Sequence, residues 1–480
     1  MFIVPKKKCN HIRAKRLALS LMFSLSAQTV LAATPLISID LDTGYENHLI
    51  LPRNGSALVQ YTITNNDDVA LLFELLPVPG ISVIPRSLRK CSRQESLESH
   101  GSCTLTLLVS AEQLSGSSSN DGPSISVNSF WSYQASQPIS VTVTDADAGA
   151  TLTGQGLALS VNNPSLNAAL TGTPREIKIT NSGPETATNV NYILSPALPD
   201  DASISPSTCG TIAAGGTCTL TVTPGATAVS STLTTVSRTA SQLSIPLNIL
   251  SYGSEYQSGY VFAIDDTVTP STASVGGKVA ALENQAAPWP LGLIWAANAN
   301  TSCTREPGNI NAFAPCTDYT FLTGIDELST NPPDACNGKS DGICNTDVIF
   351  NYLEGNGISQ SRYAAGLCKN VDIGGYNDWY LPSICEMGYY VDAPGTPGLD
   401  SFCGTEANPT QQNMLSNLFD RQVGNLLGIM WSSTEYSKAD GTYNNAWAQY
   451  YFGNIGSYFS YQTHDGKENT SGVRCVRELT

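Results

Sequence analysis

The chain has 480 residues, which at about 150 residues per domain suggests roughly three folded units and excludes a single small disulfide knot. Charged residues make up 13% of it, against about 25% in ordinary soluble proteins. Its 40 Asp and Glu outnumber its 24 Lys and Arg, and the formal net charge of -16 argues against nucleic acid and other polyanions as partners, because these ligands bind clustered cations.

The N-terminus has the pattern of a secretory signal peptide. A basic stretch at 6–16 runs into an apolar segment at 17–27, and VLA at 30–32 fits a signal-peptidase site. We therefore expect a signal peptide at 1–32, cleavage after Ala32, and an exported product that is secreted, periplasmic or on the cell surface. The alternative is a membrane anchor, but the apolar segment is shorter than the about 20 residues that span a bilayer. After signal removal we expect no transmembrane segment.

The cysteine count independently indicates an oxidising compartment. Of 13 cysteines, Cys9 lies in the leader, and the even remainder is typical of complete pairing. The spacing C-x-x-C of a structural zinc site is absent, so no metal site is predicted from them. We expect the others to form structural disulfides within three regional groups, with the connectivity of the third group open: Cys91 and Cys103; Cys209 and Cys218; and Cys303, Cys316, Cys336, Cys344, Cys368, Cys385, Cys403 and Cys475.

Two segments of the chain repeat each other. YTITNN at 61–66 and GSCTLT at 101–106 correspond to IKITNS at 177–182 and GTCTLT at 216–221. Alternating apolar residues between Gly, Pro, Asn and Asp turns predict antiparallel sandwiches, and the motifs resemble bacterial immunoglobulin-like surface repeats. We therefore predict two all-β immunoglobulin-like sandwiches, at 33–148 and 149–250. Such modules are more often spacers than ligand sites.

From about residue 251 the composition changes. Five of the six Trp and most Cys lie in this region, and helical patterns occur at 346–353, 362–368 and 409–419. Ser383 and Glu386 form a capping box, so a helix should begin there. The sequence predicts an α+β domain at 251–480.

The motifs of this domain carry a family resemblance. They are GYVF at 259–262, GLIW at 292–295, GGYNDWYLPS at 374–383, MWSSTEY at 430–436 and VRCVR at 473–477. In this order they resemble the Lcl C-terminal domain, the adhesin head of bacterial collagen-like surface proteins. The resemblance implies a fold related to C-type lectins and to the formylglycine-generating enzyme, and a sulfated polysaccharide ligand. Residues 251–480 hold 10 Lys and Arg against 24 Asp and Glu, which instead favours a neutral glycan or a protein.

A hairpin near the C-terminus is the candidate recognition element. Gly453 and Asn454 have the sequence of a two-residue turn between segments 446–452 and 455–461. With that turn, one face carries Tyr450, Phe452, Ile455, Phe459 and Tyr461. The other carries the candidate ligand-binding residues Trp447, Gln449, Tyr451 and Tyr458, whose rings and amide suit a sugar or a protein partner. The alternative is a ribbon buried on both sides.

Metal binding and catalysis have little support in the sequence. Asn377 and Asp378, and the acidic segment 334–347, offer oxygen ligands for Ca²⁺, but a turn and a Cys336–Cys344 loop explain them equally well. We predict no cofactor and no metal. Only three histidines remain after signal removal, so we expect no enzyme activity, and a thiol-dependent oxidase would need cysteines that are not in disulfides.

The sequence thus predicts an exported, adhesin-like protein in which two sandwiches carry a disulfide-rich, lectin-like head that binds an extracellular glycan or protein. The alternative is a structural envelope protein without a specific ligand.

Overall fold

The computed structural model describes residues 35–84, 91, 94–114, 118–119, 122–128, 131–144, 146–288, 291–296, 321–389, 402–437, 444–454 and 457–480. The predicted signal peptide at 1–32, Cys303 and Cys316 lie outside these ranges. Within them, no helix has both the length and the apolar character that crossing a membrane requires.

The described chain is mostly β-sheet, as predicted. Strands of residues 33–148 form three small sheets, ordered β1-β3-β7-β5, β10-β9-β4-β6 and β2-β11-β8. The strands are β1 (Ile37–Leu41), β2 (His48–Pro52), β3 (Ser56–Asn65), β4 (Leu71–Leu75), β5 (Ile81–Val83), β6 (Gln94–Leu97), β7 (Ser102–Ser110), β8 (Ser118–Ser119), β9 (Ser124–Val127), β10 (Trp131–Gln134) and β11 (Ser140–Thr144). We call residues 33–148 module 1.

Residues 149–250, module 2, form two sheets, ordered β12-β14-β18-β16 and β13-β20-β19-β15-β17. The strands are β12 (Leu152–Thr153), β13 (Leu157–Ser160), β14 (Arg175–Asn181), β15 (Ala187–Ser195), β16 (Ser203–Ser205), β17 (Gly210–Ile212), β18 (Thr217–Thr223), β19 (Val229–Val236) and β20 (Ser244–Leu250).

The two modules share their topology. In each, the first strand pairs antiparallel with the strand that carries the repeated motif, as β1 does with β3 and β12 with β14. The next strand pairs in parallel with the last strand of the module, as β2 does with β11 and β13 with β20. The first two strands of each module therefore belong to different sheets, and buried residues alternate along β3 and β14. Both features are typical of immunoglobulin-like sandwiches.

The asparagine that ends β3 in module 1 and β14 in module 2 has the same role in both modules. The side-chain amide of Asn65 donates to the carbonyl oxygens of Val69, Leu97 and Glu98, at 2.8, 3.1 and 2.9 Å. Asn181 donates to those of Glu185 and Ile212, at 2.7 and 3.1 Å. Both side chains are wholly buried, so each satisfies carbonyl groups where the chain leaves its strand.

Residues 251–480, the C-terminal region, contain helices and strands. The strands form two sheets, ordered β21-β22-β23-β27 and β24-β25-β26. The elements are β21 (Glu255–Tyr256), β22 (Gly259–Asp265), β23 (Gly276–Ala281), α1 (Gly342–Gly355), α2 (Ala364–Asn370), α3 (Ile384–Met387), β24 (Gly428–Glu435), β25 (Asn445–Asn454), β26 (Ser457–Gly466) and β27 (Val476–Glu478).

The predicted helices occur, with different bounds. Helix α1 starts earlier than expected, because the carboxylate of Asp341 accepts the backbone N–H of Cys344 at 3.0 Å and caps it. The carboxylate of Glu386 accepts the backbone N–H of Ser383 at 2.7 Å at the start of α3, as the capping-box motif predicts. Of the helix expected at 409–419, only the π-helical turn Leu415–Phe419 forms.

The hydrophobic cores show how the parts are joined. Module 1 and module 2 each have a core between their sheets, and a small cluster of Ile84, Ile193 and Val236 lies where they meet. A further core is shared between module 2 and the C-terminal region, and it includes Leu250 and Trp295. The C-terminal region therefore packs directly on module 2.

Candidate recognition surface

The predicted hairpin forms, with a different register. Phe452 pairs with Phe459 and Tyr450 with Tyr461, and β25 and β26 continue until Asn454 pairs with Ser457. Gly453 and Asn454 are therefore strand residues, and the predicted turn at these two residues is wrong. A two-residue turn at Gly453 and Asn454 would pair Phe452 with Ile455, and the observed pairing with Phe459 differs by an even number of residues. Among the described side chains, Tyr450, Phe452 and Tyr461 therefore stay on one predicted face and Trp447, Gln449 and Tyr451 on the other.

The predicted ligand-binding face is the buried one. Trp447 is 2% exposed, and its indole Nε1 donates to Oε2 of Glu327 at 2.9 Å. The rings of Phe402 and Tyr436 pack edge-on against it, with centroid distances of 5.0 and 5.3 Å. Trp447 thus anchors the hairpin to the core, where burial of a large ring and a satisfied N–H stabilise the fold.

Two further candidates are buried on the same face. The hydroxyl of Tyr451 donates to the carbonyl oxygen of Met387 at 2.8 Å, and Gln449 donates to Oγ of Ser460 at 2.7 Å. Both residues are wholly buried, because α3 packs over this side of the sheet. Trp447, Gln449 and Tyr451 are therefore structural in this conformation, and their assignment to a solvent-facing ligand site is corrected. The side chain of Tyr458 lies outside the described part of the chain.

Aromatic rings occupy the tip of the opposite face. Tyr450, Phe452 and Tyr461 are half-buried there, beside half-buried Ile429 of the neighbouring strand. The rings of Tyr450 and Tyr461 are 4.9 Å apart between centroids and steeply inclined, and those of Tyr450 and Phe452 are 6.2 Å apart. Burial raises the pKa of the Tyr461 hydroxyl, and the electrostatic effect of neighbouring Tyr450 acts in the same direction, so this hydroxyl stays neutral. We call these four residues the tip patch.

The base of the same face is covered. Trp431 is wholly buried and donates its indole N–H to the carbonyl oxygen of Leu293 at 2.8 Å. Trp295 donates likewise to the carbonyl oxygen of Ser432 at 2.7 Å. The sheet is therefore held on both sides at its base, while its tip exposes part of the aromatic surface.

A buried ion pair links the two edge strands of this sheet at its base. The ammonium of Lys467 donates to the carboxylate of Glu435, and both side chains are almost fully buried. Burial raises the pKa of Glu435 to about 7, although the Lys467 ammonium acts in the opposite direction. Lys467 also lies 4.9 Å from the centroid of the Trp295 ring. No sequence motif indicates this pair, because its members are separated by 32 residues along the chain.

Asp378, one of the residues considered for Ca²⁺, has another partner. The carboxylate of Asp378 binds the guanidinium of buried Arg477, with Nε–Oδ1 at 2.7 Å and Nη2–Oδ2 at 3.0 Å. This bidentate pair lowers the pKa of Asp378. Arg474, which precedes Arg477 in the same motif, instead donates to the side chain of Asn284 and to the carbonyl oxygens of Ala281 and Gly424.

In the acidic segment 334–347, Asp341 caps α1 and the carboxylate of Asp347 pairs with the ammonium of Lys369 at 2.8 Å. Asp334 accepts the backbone N–H of Thr330 at 2.9 Å. Among the residues that the structure describes, no group of three or more His, Cys, Asp or Glu side chains is arranged to hold a metal ion.

Five disulfides occur in the described ranges. The local bridges Cys91–Cys103 and Cys209–Cys218 form within their expected groups and attach β7 and β18 to the chain that precedes them, and Cys336–Cys344 closes the acidic loop. The structure also resolves connectivity that the sequence left open, by pairing Cys368 with Cys475 and Cys385 with Cys403. The first bridge joins α2 to the residue that precedes β27, and the second joins α3 to the segment that packs on Trp447.

Comparisons with known proteins identify no family. No family model matches the chain, and no curated protein matches it. Among solved structures, the chain is similar to the Yersinia pseudotuberculosis adhesin InvE, at 13% identity and a TM-score of 0.22 over 92% of this chain and 97% of that one.

Two shorter likenesses each cover 45% of this chain. One is to the N-terminal Ig1-2 module of the Drosophila receptor protein tyrosine phosphatase DLAR, at 8% identity and a TM-score of 0.25 over 99% of that chain. The other is to a protein of unknown function from Porphyromonas gingivalis W83, at 13% identity and a TM-score of 0.19 over 100% of that chain. These TM-scores are too low for any function to be transferred.

Proposed function

We propose that this chain is an exported, adhesin-like binding protein whose C-terminal region recognises an extracellular glycan or protein through the tip patch. The observation that carries the proposal is the half-buried aromatic cluster of Tyr450, Phe452 and Tyr461 at the tip of a sheet whose base is buried on both faces at Trp431 and Trp447. Aromatic rings with a polar edge contribute binding energy through stacking and large contact area at little cost in side-chain entropy.

The charge of the region favours a neutral ligand. Residues 251–480 carry 24 Asp and Glu against 10 Lys and Arg, so a polyanion would meet net repulsion. A neutral glycan, whose sugar rings present apolar C–H faces, suits the tip patch best. The resemblance of the sequence motifs to the Lcl C-terminal domain, with its lectin-like fold, also supports a glycan as the ligand.

We also propose that the protein binds its ligand without catalysing a reaction. It is supported by the separation of the histidines: His48 and His100 lie in module 1, while His464 stacks on Tyr436 at 4.1 Å and its Nδ1 lies 3.1 Å from the amide nitrogen of Asn445. Export is supported by the five disulfides, which persist in oxidising compartments.

The test is binding of the full-length mature chain to a glycan array and to extracellular-matrix proteins. We expect a signal that Tyr450→Ala and Tyr461→Ala each reduce at least several-fold. Trp131→Ala is the matched control, because Trp131 in module 1 is 63% exposed and lies outside the tip patch. Equal loss with Trp131→Ala would indicate non-specific aromatic adhesion, and absence of binding to every probe would favour the structural envelope protein.

A further inference from the structure

A cavity lies between the two sandwiches, and none of its lining residues belongs to the tip patch. It has a volume of about 420 Å³, within the range of about 300–1,000 Å³ for small-molecule sites. Module 1 contributes the turn before β2, with Tyr45, and the start of β3, with Ser56. Module 2 contributes Asn189 and Asn191 of β15 and the segment that follows β19, with Arg238. We call this cavity the intermodule cleft.

The cleft is part of a fixed contact between the modules. The backbone N–H of Ser56 donates to the carbonyl oxygen of Ser237 at 3.1 Å, which joins β3 to the chain just after β19. Ile84 of module 1 packs against Ile193 and Val236 of module 2, and all three are at most 4% exposed. An apolar contact and a backbone hydrogen bond therefore hold the walls in place, so a ligand would not have to order them.

The walls offer neutral polar groups. Asn189, Asn191 and Ser207 are exposed and present amide and hydroxyl groups, which can both donate and accept hydrogen bonds. The ring of half-buried Tyr45 supplies a flat apolar surface beside them. This combination of hydrogen-bonding side chains with one aromatic face matches a sugar ring, which has hydroxyls at its edge and C–H groups on its faces.

The charges at the cleft neutralise each other. The guanidinium of Arg238 and the carboxylate of Glu46 form an ion pair across the two modules, with Nη1–Oε2 at 2.8 Å. The hydrogen bond from the Arg238 guanidinium and its positive charge lower the pKa of Glu46, so the pair stays ionised at neutral pH. Because the cleft gains no net charge from it, neither an anionic nor a cationic ligand is favoured.

One buried hydroxyl of a residue that lines the cleft is unsatisfied. Ser56 is wholly buried, and its Oγ has no hydrogen-bond partner within the described ranges. A buried hydroxyl without a partner costs about 1–3 kcal/mol. Because the Oγ has almost no accessible surface, an occupant of the cleft would form a hydrogen bond with it and remove that cost only if the wall shifted slightly.

From these observations we infer that the intermodule cleft is a binding site for a neutral saccharide of one or two rings. The site is separate from the tip patch and uses residues of both modules. The modules are therefore part of the binding apparatus as well as the support of the C-terminal region.

The experiment is saturation-transfer NMR on the full-length mature chain with glucose, galactose, mannose and N-acetylglucosamine as probes. We expect transfer to at least one of them and a dissociation constant that the double variant Tyr45→Ala/Asn191→Ala raises about tenfold or more, equivalent to about 1.4 kcal/mol. Ser56→Ala should raise the thermal midpoint, because it removes the cost of a buried hydroxyl that makes no intramolecular bond.

The control is the pair Tyr450→Ala and Tyr461→Ala, which should leave monosaccharide binding unchanged even if it abolishes binding through the tip patch. Transfer that survives in the cleft variants, or that disappears in the tip-patch variants, would overturn the inference. So would the absence of transfer to all four sugars with the wild-type chain. Each of these results is independent of whether the tip patch binds its own ligand.

Discussion

Arg175 of module 2 and Asp266 of the C-terminal region form an ion pair in which the two side chains are 1% and 3% exposed, with Nη2–Oδ1 at 3.1 Å. The guanidinium also donates to the carbonyl oxygens of Val268 and Ala273, at 3.1 and 2.8 Å. Oδ2 of Asp266 accepts the hydroxyl of Ser160 at 2.8 Å. With the shared apolar core, this pair fixes the C-terminal region on module 2.

Replacing Asp266 by Asn should leave the Arg175 guanidinium buried without its counter-charge. We expect a loss of about 3–5 kcal/mol in the free energy of unfolding, because an unpaired buried charge costs more than the pair gains. Urea unfolding followed by tryptophan fluorescence measures it, since five of six tryptophans lie in 251–480. Glu46→Gln, which breaks the exposed pair with Arg238, is the control and should leave the midpoint unchanged.

The same carboxyl predicts an acid-sensitive interface. Burial alone would raise the pKa of Asp266, but hydrogen bonds from Thr171, Thr173, Ser160 and Arg175 outweigh it, so the pKa lies below its ordinary value. Its contribution to stability is therefore present above the unfolded pKa of about 4 and is lost as the pH falls through the folded value.

Unfolding midpoints measured from pH 7 down to pH 3 check this. The wild-type chain should lose stability more steeply in acid than Asp266→Asn does. Parallel acid limbs in the two proteins would show that other carboxyls control the transition.

Glu435 and Lys467 should show strong energetic coupling. Glu435→Gln leaves a buried ammonium and Lys467→Met leaves a buried carboxyl, so each single variant should lose about 3–5 kcal/mol. The double variant buries no charge and should be more stable than either single variant. A double-mutant cycle from urea unfolding measures the coupling, and additive losses would contradict it.

The long disulfide should stabilise more than a local one. Cys368 and Cys475 are 107 residues apart, against 9 for Cys209 and Cys218. Loop-closure entropy predicts about 5 kcal/mol for the first bridge and about 2.5 kcal/mol for the second. Replacing each pair by Ala and comparing thermal and urea midpoints tests this order. Equal midpoints for the two variants would mean that the denatured chain is already compact around Cys368.

The two faces of the hairpin should respond differently to truncation. Trp447→Ala removes a buried ring that packs on Phe402 and Tyr436 and should cost about 3–5 kcal/mol. Tyr461→Ala, in the half-buried tip patch, should cost much less. Thermal unfolding with near-ultraviolet circular dichroism distinguishes them, and similar losses would place Tyr461 in the core.

Local features of this protein are readable in the sequence. The repeated motif that contains Asn65 and Asn181 indicates the same strand end in both modules, because an asparagine amide at a strand end bonds to nearby carbonyls in either context. The bridges of 8 to 12 residues and the capping box at Ser383 are equally local. Alternation along the hairpin likewise sorts its side chains into two faces.

What the sequence alone determined is therefore local: strand periodicity, caps, short loops and the composition of each face. Which face of the hairpin is buried, the pairing of Cys368 with Cys475, the Arg175–Asp266 ion pair and the cleft beside Ser56 were decided by the tertiary structure. Period-two patterns are the same whichever side a helix packs on, and groups 90 or more residues apart meet only when the sheets are assembled.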